Sequence, residues 1–190
     1  MPTSTSEAPP AARPLRGLSR RIDAFQDRFG RAVSWIMLLM VVVVFVDVLL
    51  RYAFNKSSVF TQELEWHLFG LVYLLGAGYT MLYDEHVRVD ILYSRWSPRR
   101  KAWFDFACYL VFFYPSAIMV MTTAWPFVRD SYRVLEGSPD PGGIPFRFLL
   151  KSVMIVGFAL LTLQAVSQTI KNFFWGMGWE VPESRVKEIH

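Results

Sequence analysis

Cysteine is almost absent: Cys108 is the one thiol in 190 residues, and it sits inside an apolar run. One thiol can neither close an intrachain disulfide nor build a cysteine metal site, so redox chemistry has no foothold. Cys108 reads as a small packing residue. Charge is scarce in the longest apolar runs. Phe106–Val128 and Ser152–Ile170 hold no Asp, Glu, Lys or Arg, Ala32–Leu50 holds only Asp47, and Trp66–Tyr83 is interrupted only by His67. Histidine is also rare, and His67, His86 and His190 do not place two rings at one depth on different runs, which argues against haem held between histidines. Metal-spaced clusters, nucleophile motifs and phosphate loops are missing, so the chain is expected not to be an enzyme and to hold no cofactor.

What is there is membrane-forming. A helix rises about 1.5 Å per residue and needs roughly 20 apolar residues to cross a hydrocarbon core about 30 Å thick. All four runs meet that length. Asp47 does not prevent insertion of the first. Its thirteen Val, Leu, Ile and Phe residues, at about −0.3 to −0.6 kcal/mol each, outweigh roughly +2.5 to +3.5 kcal/mol for one mid-helix Asp. No small-residue cleavage site follows that run, so it is expected to remain as an anchor. The expected fold is an all-α membrane protein of four transmembrane helices, preceded by an amphipathic helix. Residues 1–14 read as a disordered tail, 15–31 as the interfacial helix, 32–174 as the membrane domain and 175–190 as a cytoplasmic tail. The spans are placed at about 32–52, 63–83, 102–128 and 148–172.

Net charge +4 and a pI near 9.3 could suit nucleic acid, but the basic residues stand at the borders of the runs and suit lipid instead. Fourteen of the 20 Lys and Arg residues fall on the side of the N-terminal segment, second loop and C-terminal tail. Both termini are therefore expected in the cytoplasm. Arg20, Arg21, Arg99, Arg100 and Lys101 are candidates for contact with the inner lipid surface. Leu18, Ile22, Phe25 and Phe29 recur at helical spacing, which suits a helix lying on that surface or against another subunit. Thr61 is a candidate cap for the second helix. Ser97-Pro98 reads as a cap followed by proline at the first helical position, and Pro115 should bend the third span.

The second span is the most informative. At 100° per residue, Glu63, Trp66, His67, Gly70, Leu74, Ala77 and Gly78 lie along one stripe. Small residues let helices approach closely where lipid gives no hydrophobic drive, so the stripe is a docking face for another helix, in this chain or a partner. Asp47 and Arg51, four apart, can pair along one helix edge. The outer loop from Glu136 to Pro145, with Ser138 and Asp140 between them, is turn-rich and cannot continue a helix.

Glu63-Leu64-Glu65-Trp66, then Leu75-Gly76-Ala77 and His86-Val87-Arg88-Val89-Asp90, resembles the small membrane subunit of tripartite ATP-independent periplasmic (TRAP) transporters, the DctQ-like family. Glu136-Gly137-Ser138, Gly143-Ile144-Pro145, Lys151 and Leu163-Gln164 look like that family's C-terminal half, so the resemblance covers about Arg31 to Phe174. It implies a non-catalytic scaffold in a bacterial inner membrane, bound to a large permease subunit that carries the sodium and solute sites. A periplasmic binding protein would deliver the solute, and the loop with Glu136, Ser138, Asp140 and Pro145 is expected to face it. Two other classes stay open: a membrane anchor for a redox complex, and an independent small carrier.

Overall fold

The computed structural model describes residues 12–83 and 96–179. The expected disorder of the first residues, the His86–Asp90 motif and most of the C-terminal tail lie outside the described residues. Among those described, the chain is all helix, with no strand. Helix α1 spans Arg13–Phe54, α2 Val59–Leu82, α3 Pro98–Arg133 and α4 Phe148–Met177. Three of them, α1, α3 and α4, are long and apolar enough to cross a membrane. Helix α2 has the length, at 24 residues, but Glu63, Glu65, His67 and three glycines dilute its apolar content.

The amphipathic stretch and the first apolar run form one helix, with no break at Arg31–Ala32. Its 42 residues extend about 63 Å at 1.5 Å per residue, well beyond a hydrocarbon core. The outward side of its first turns carries Leu15, Leu18 and Phe25, each exposed, whereas Ser19, Ile22, Gln26, Gly30 and Val33 are buried against the bundle. The helix ends where Asn55 takes a left-handed conformation and Lys56 N–H reaches Leu50 O at 3.1 Å. Asn tolerates that conformation better than most residues.

Helix α2 starts earlier than the Thr61 cap implied. Ser58, in extended conformation, precedes it, and its carbonyl accepts Gln62 N–H at 3.2 Å. Pro98 does open α3, as its fixed φ and missing N–H favour, although Ser97 contributes its carbonyl to Lys101 N–H rather than a side-chain cap. A π-helical turn at Tyr109–Phe113 lies immediately before Pro115, and Tyr114 N–H bonds back five residues to Tyr109 O. A proline ring collides with the carbonyl four residues earlier and gives no N–H. Widening the preceding turn is one way to absorb that mismatch.

Helix α4 packs against α1, α2 and α3, and α1 also packs against α2. Contact is closest where side chains vanish. A Cβ on Gly157 would lie 2.7 Å from the Leu74 carbonyl oxygen, and one on Gly30 would lie 2.0 Å from the Tyr79 ring. The half of the bundle where α1 begins and α4 ends is joined by polar groups. Asp23 accepts Ser167 Oγ at 2.7 Å and Gln164 Nε2 at 3.0 Å on one oxygen, and Lys171 Nζ stands 2.6 Å from the other. Ser19 Oγ lies 2.7 Å from Ser167 Oγ, Gln26 Nε2 donates to Leu160 O at 2.6 Å, and Gln168 Nε2 donates to Met81 O at 2.9 Å. Tyr83 adds a bond from α2's end to Asp27 at 2.8 Å. The remaining carbonyl oxygens of Gln26 and Gln164 have no partner, which costs less than an orphaned N–H would.

Gly157→Ala places a methyl against backbone that cannot swing aside, and overpacking of this kind costs about 1–3 kcal/mol. Gly70→Ala meets only Leu150 Cδ1 at an ordinary 3.4 Å. Thermal unfolding in detergent is expected to fall several degrees for the first variant and to stay near wild type for the second. Equal melting temperatures for the two would contradict this packing.

Candidate functional site

Glu63 organises the end of the bundle where α2 begins. It sits one turn into α2 and is only 4% exposed. One oxygen accepts Ser138 Oγ at 2.5 Å, the other accepts the Ile144 N–H at 2.6 Å, and the Arg147 guanidinium lies 3.7 Å away. The loop backbone comes so near that a Cβ on Gly143 would lie 2.7 Å from the Glu63 carboxylate. Arg147 also lies over the Trp66 ring, 5.3 Å from its centroid, and the Trp66 and His67 rings are 4.0 Å apart. His67 Nδ1 is 2.6 Å from the Glu63 carbonyl oxygen, an arrangement that needs the proton on Nδ1. Glu63, Trp66 and His67, adjacent on the sequence stripe, thus act together to hold the loop between α3 and α4.

The loop is closed by its own bonds. Ser138 N–H reaches Ile144 O at 3.2 Å, Arg147 N–H reaches Glu136 O at 2.8 Å, and Gly143 N–H reaches Asp140 O at 3.1 Å. Ser138 Oγ also takes the Asp140 N–H at 3.1 Å. Glu136 pairs with Lys151, whose ammonium stands 3.9 Å from the Phe127 ring centroid. That ammonium holds the Glu136 carboxyl below its usual range, against the opposing effect of desolvation. Asp140 and Pro145 face outward. Two non-glycine residues of this region, Leu135 and Phe146, have φ of 46° and 62°, a conformation costing on the order of 1–3 kcal/mol for such side chains.

Deeper along the stripe the small residues meet helices of this chain. Gly70 touches Leu150, Leu74 offers its backbone to Gly157, and a Cβ on Gly78 would lie 2.5 Å from Gln26 Nε2. Ala77 is half-buried, and Trp66 is the exposed member at 41%. The Asp47–Arg51 pair forms as its spacing suggested, with the acid buried and the guanidinium half in the open.

At the opposite end of the bundle Arg20, Arg21 and Arg100 are exposed and Lys101 is half-buried. Arg99 sits unfavourably in the first turn of its own helix, but its guanidinium reaches another helix's end: a Cβ on Gly178 would lie 2.5 Å from it. Gly178 terminates α4, where the dipole favours a cation. Trp103, Phe106 and Phe173 cluster beside it, with centroids 5.6–6.0 Å apart. Sequence reasoning missed the Asp23 seam, because Asp23 lies off the apolar stripe of Leu18, Ile22, Phe25 and Phe29. A signal existed: Ser19, Asp23, Gln26 and Gly30 repeat at helical spacing, opposite a run of Gln164, Ser167, Gln168, Lys171 and Asn172.

A family model described as tripartite ATP-independent periplasmic transporters, DctQ component, matches residues 40–174. A protein of Haemophilus influenzae, provisionally named a TRAP transporter small permease protein, is 33% identical over 84 residues, covering 40% of this chain and 52% of that relative. The chain thus spans about half the length of the curated relative it matches. No solved structure matches it.

Glu63→Ala removes the acceptor for Ser138 and Ile144, so hydrogen exchange of residues 136–147 should rise strongly; Glu63→Gln, which keeps one acceptor oxygen, should raise it less. Identical exchange in both variants and the wild type would remove Glu63 from this role. A group held below its ordinary pKa stabilises the fold above that value and loses the contribution as pH falls through the lowered one. The Glu136–Lys151 tie should therefore be complete above the ordinary 4.5 and open only in stronger acid. Lys151→Met removes the tie at every pH, so mobility of a spin label at position 140 should already be raised at neutral pH and should lose the step in acid that the wild type shows.

Proposed function

Because the chain belongs to the DctQ component family of tripartite ATP-independent periplasmic transporters, transporter parts rather than enzymes, we propose that it is the small scaffold subunit of a sodium-coupled uptake system. On this reading it crosses a bacterial inner membrane four times, α2 being the fourth span, with both termini cytoplasmic. It binds a large permease subunit, which holds the solute and sodium sites, and a periplasmic binding protein delivers an organic acid or a similar solute.

The observation that carries the scaffold reading is where three acids of the helices, Asp23, Asp47 and Glu63, go; Glu65, whose Oε1 is buried without a partner, stands apart. Asp23 is taken by Lys171 and two α4 side chains, Asp47 by Arg51, and Glu63 by the outer loop. Acids in membrane helices mark ion pathways when they face a cavity; these are bound up in joining the chain to itself. Topology is supported by the basic residues: fourteen lie on the side assigned to the cytoplasm, as the positive-inside bias requires. With Gly70, Leu74 and Gly78 already engaged by α4 and α1, the large subunit would meet the stripe at Trp66, beside exposed Phe69 and Tyr73.

Co-expression with a large permease subunit tests the reading. A tagged copy of this chain should retain that subunit through purification, and proteoliposomes should accumulate solute only with both subunits and the binding protein. Trp66→Ala should lower complex yield several-fold while the chain alone still inserts. Uptake by vesicles holding this chain alone would overturn the scaffold assignment.

A further inference from the structure

The C-terminal end of α3 is a Schellman motif built with the wrong residue for comfort. Leu135 N–H bonds to Tyr132 O at 3.1 Å and Glu136 N–H to Ser131 O at 3.0 Å, the pairing that normally places glycine at the left-handed position. Here that position is Leu135, and a second bulky residue, Phe146, takes the same conformation just before α4. Because Arg147 N–H bonds to Glu136 O, the two strained residues flank one neck of the loop. Both side chains are in the open, Leu135 at 58% and Phe146 at 48% exposed. Glycine would be free of strain at either place, and neither side chain is buried in return. Strain of this kind persists where the surroundings enforce it and concentrates at working surfaces.

The neighbours identify the surface. Tyr132, Val134 and Leu149 are also exposed, and the Tyr132, Phe146 and Phe148 rings form an edge-to-face row with centroids 5.1 and 6.1 Å apart. This apolar patch continues the exposed apolar sides of α3 and α4, at Phe127 and Val156. Arg129 and Arg133, about half and two-thirds exposed, stand beside it with Asp130 between them, leaving a net positive rim. Aromatic and aliphatic groups edged by arginine suit the boundary between acyl chains and phosphates. We propose that Leu135 and Phe146 are a lipid-inserted wedge that seats the neck of the outer loop in the outer leaflet of the membrane. The wedge rests on α3 and α4 crossing a bilayer with this loop on the outer side, as the proposed topology has it, and not on the binding of a partner subunit.

Site-directed spin labels test this on the full chain reconstituted in phospholipid vesicles. In a Cys108→Ser background, single cysteines replace Leu135, Phe146, Asp140 at the loop tip, or Val156 on the α4 face. At 135 and 146, collisions with oxygen relative to a water-soluble nickel chelate should exceed those at 140 several-fold and approach those at 156. Nickel access at 135 and 146 equal to that at 140 would overturn the wedge. So would labels that are water-exposed in the chain alone and shielded only on adding the large subunit, since a protein would then be the occupant. Should a cysteine variant fail to fold, Leu135→Gly/Phe146→Gly, which the backbone accepts, carries the test with the label at 140. Greater label mobility in vesicles supports the wedge, and unchanged mobility overturns it.

Discussion

Asp23 gathers three donors from α4, and the rest of the bundle depends on that junction. Away from water, a polar group left without a partner costs about 1–3 kcal/mol, so the seam holds α1 and α4 in one register. Sliding one helix by a single turn, about 5.4 Å, would part Asp23 from Ser167, Gln164 and Lys171 together. The same slide would separate Ser19 from Ser167 and Gln26 from Leu160. Helix α2 is then fixed from both sides, by Gln168 at its Met81 carbonyl and by Tyr83 on Asp27. The close contacts at Gly30 and Gly157 are possible only in this register. Polar bonds thus choose the arrangement, and missing side chains let dispersion forces complete it.

The opposite end of the bundle repeats the device with a loop in place of a helix. Glu63 bridges α2 to Ser138, Ile144 and Arg147, and Lys151 ties Glu136 to α4. Helix α3 is held differently. It packs on α4 alone among the larger helix contacts, through the Tyr114 bond to Thr169 at 3.0 Å and through the aromatic cluster around Phe173. Its π-helical turn and two internal prolines thus fall in a helix that has one large helix neighbour among the described residues. The loop that Glu63 grips therefore does much to fix where α3 stands relative to α1 and α2.

Much of this was legible in the sequence because hydrophobic length is a strong and local signal. The helices cover the four expected runs, Pro98 opens α3, Asp47 pairs with Arg51, and the family resemblance matches over nearly the same residues. What escaped reading depends on partners distant in sequence. Asp23 looks like one charge among several on an amphipathic surface until α4 supplies its donors from 141 to 148 residues away. Glu63 was identified as a notable acid, yet its grip on Ser138 and Ile144 required the loop's fold. Leu135 and Phe146 gave no signal, since positive φ at a leucine or phenylalanine is opposed by local preference. The boundary placed between residues 31 and 32 follows a change of composition, whereas the helical backbone runs through it without a break.

On the proposed reading a scaffold in a moving transporter must resist the forces its partner exerts, and the polar groups of this chain suit that end. Asp23, Asp47 and Glu63 each bind within the chain, two of them joining separate elements, and the outward surface is left mostly apolar. Association with another membrane subunit then rests on shape and close packing, because lipid rewards apolar contact little more than the partner does. Such an interface can be specific only if the surface keeps its shape, which requires a bundle that does not slide. The Asp23 seam at one end and the Glu63 clasp at the other supply that rigidity. On the proposed reading, a partner could then move against this chain while the chain itself stays fixed.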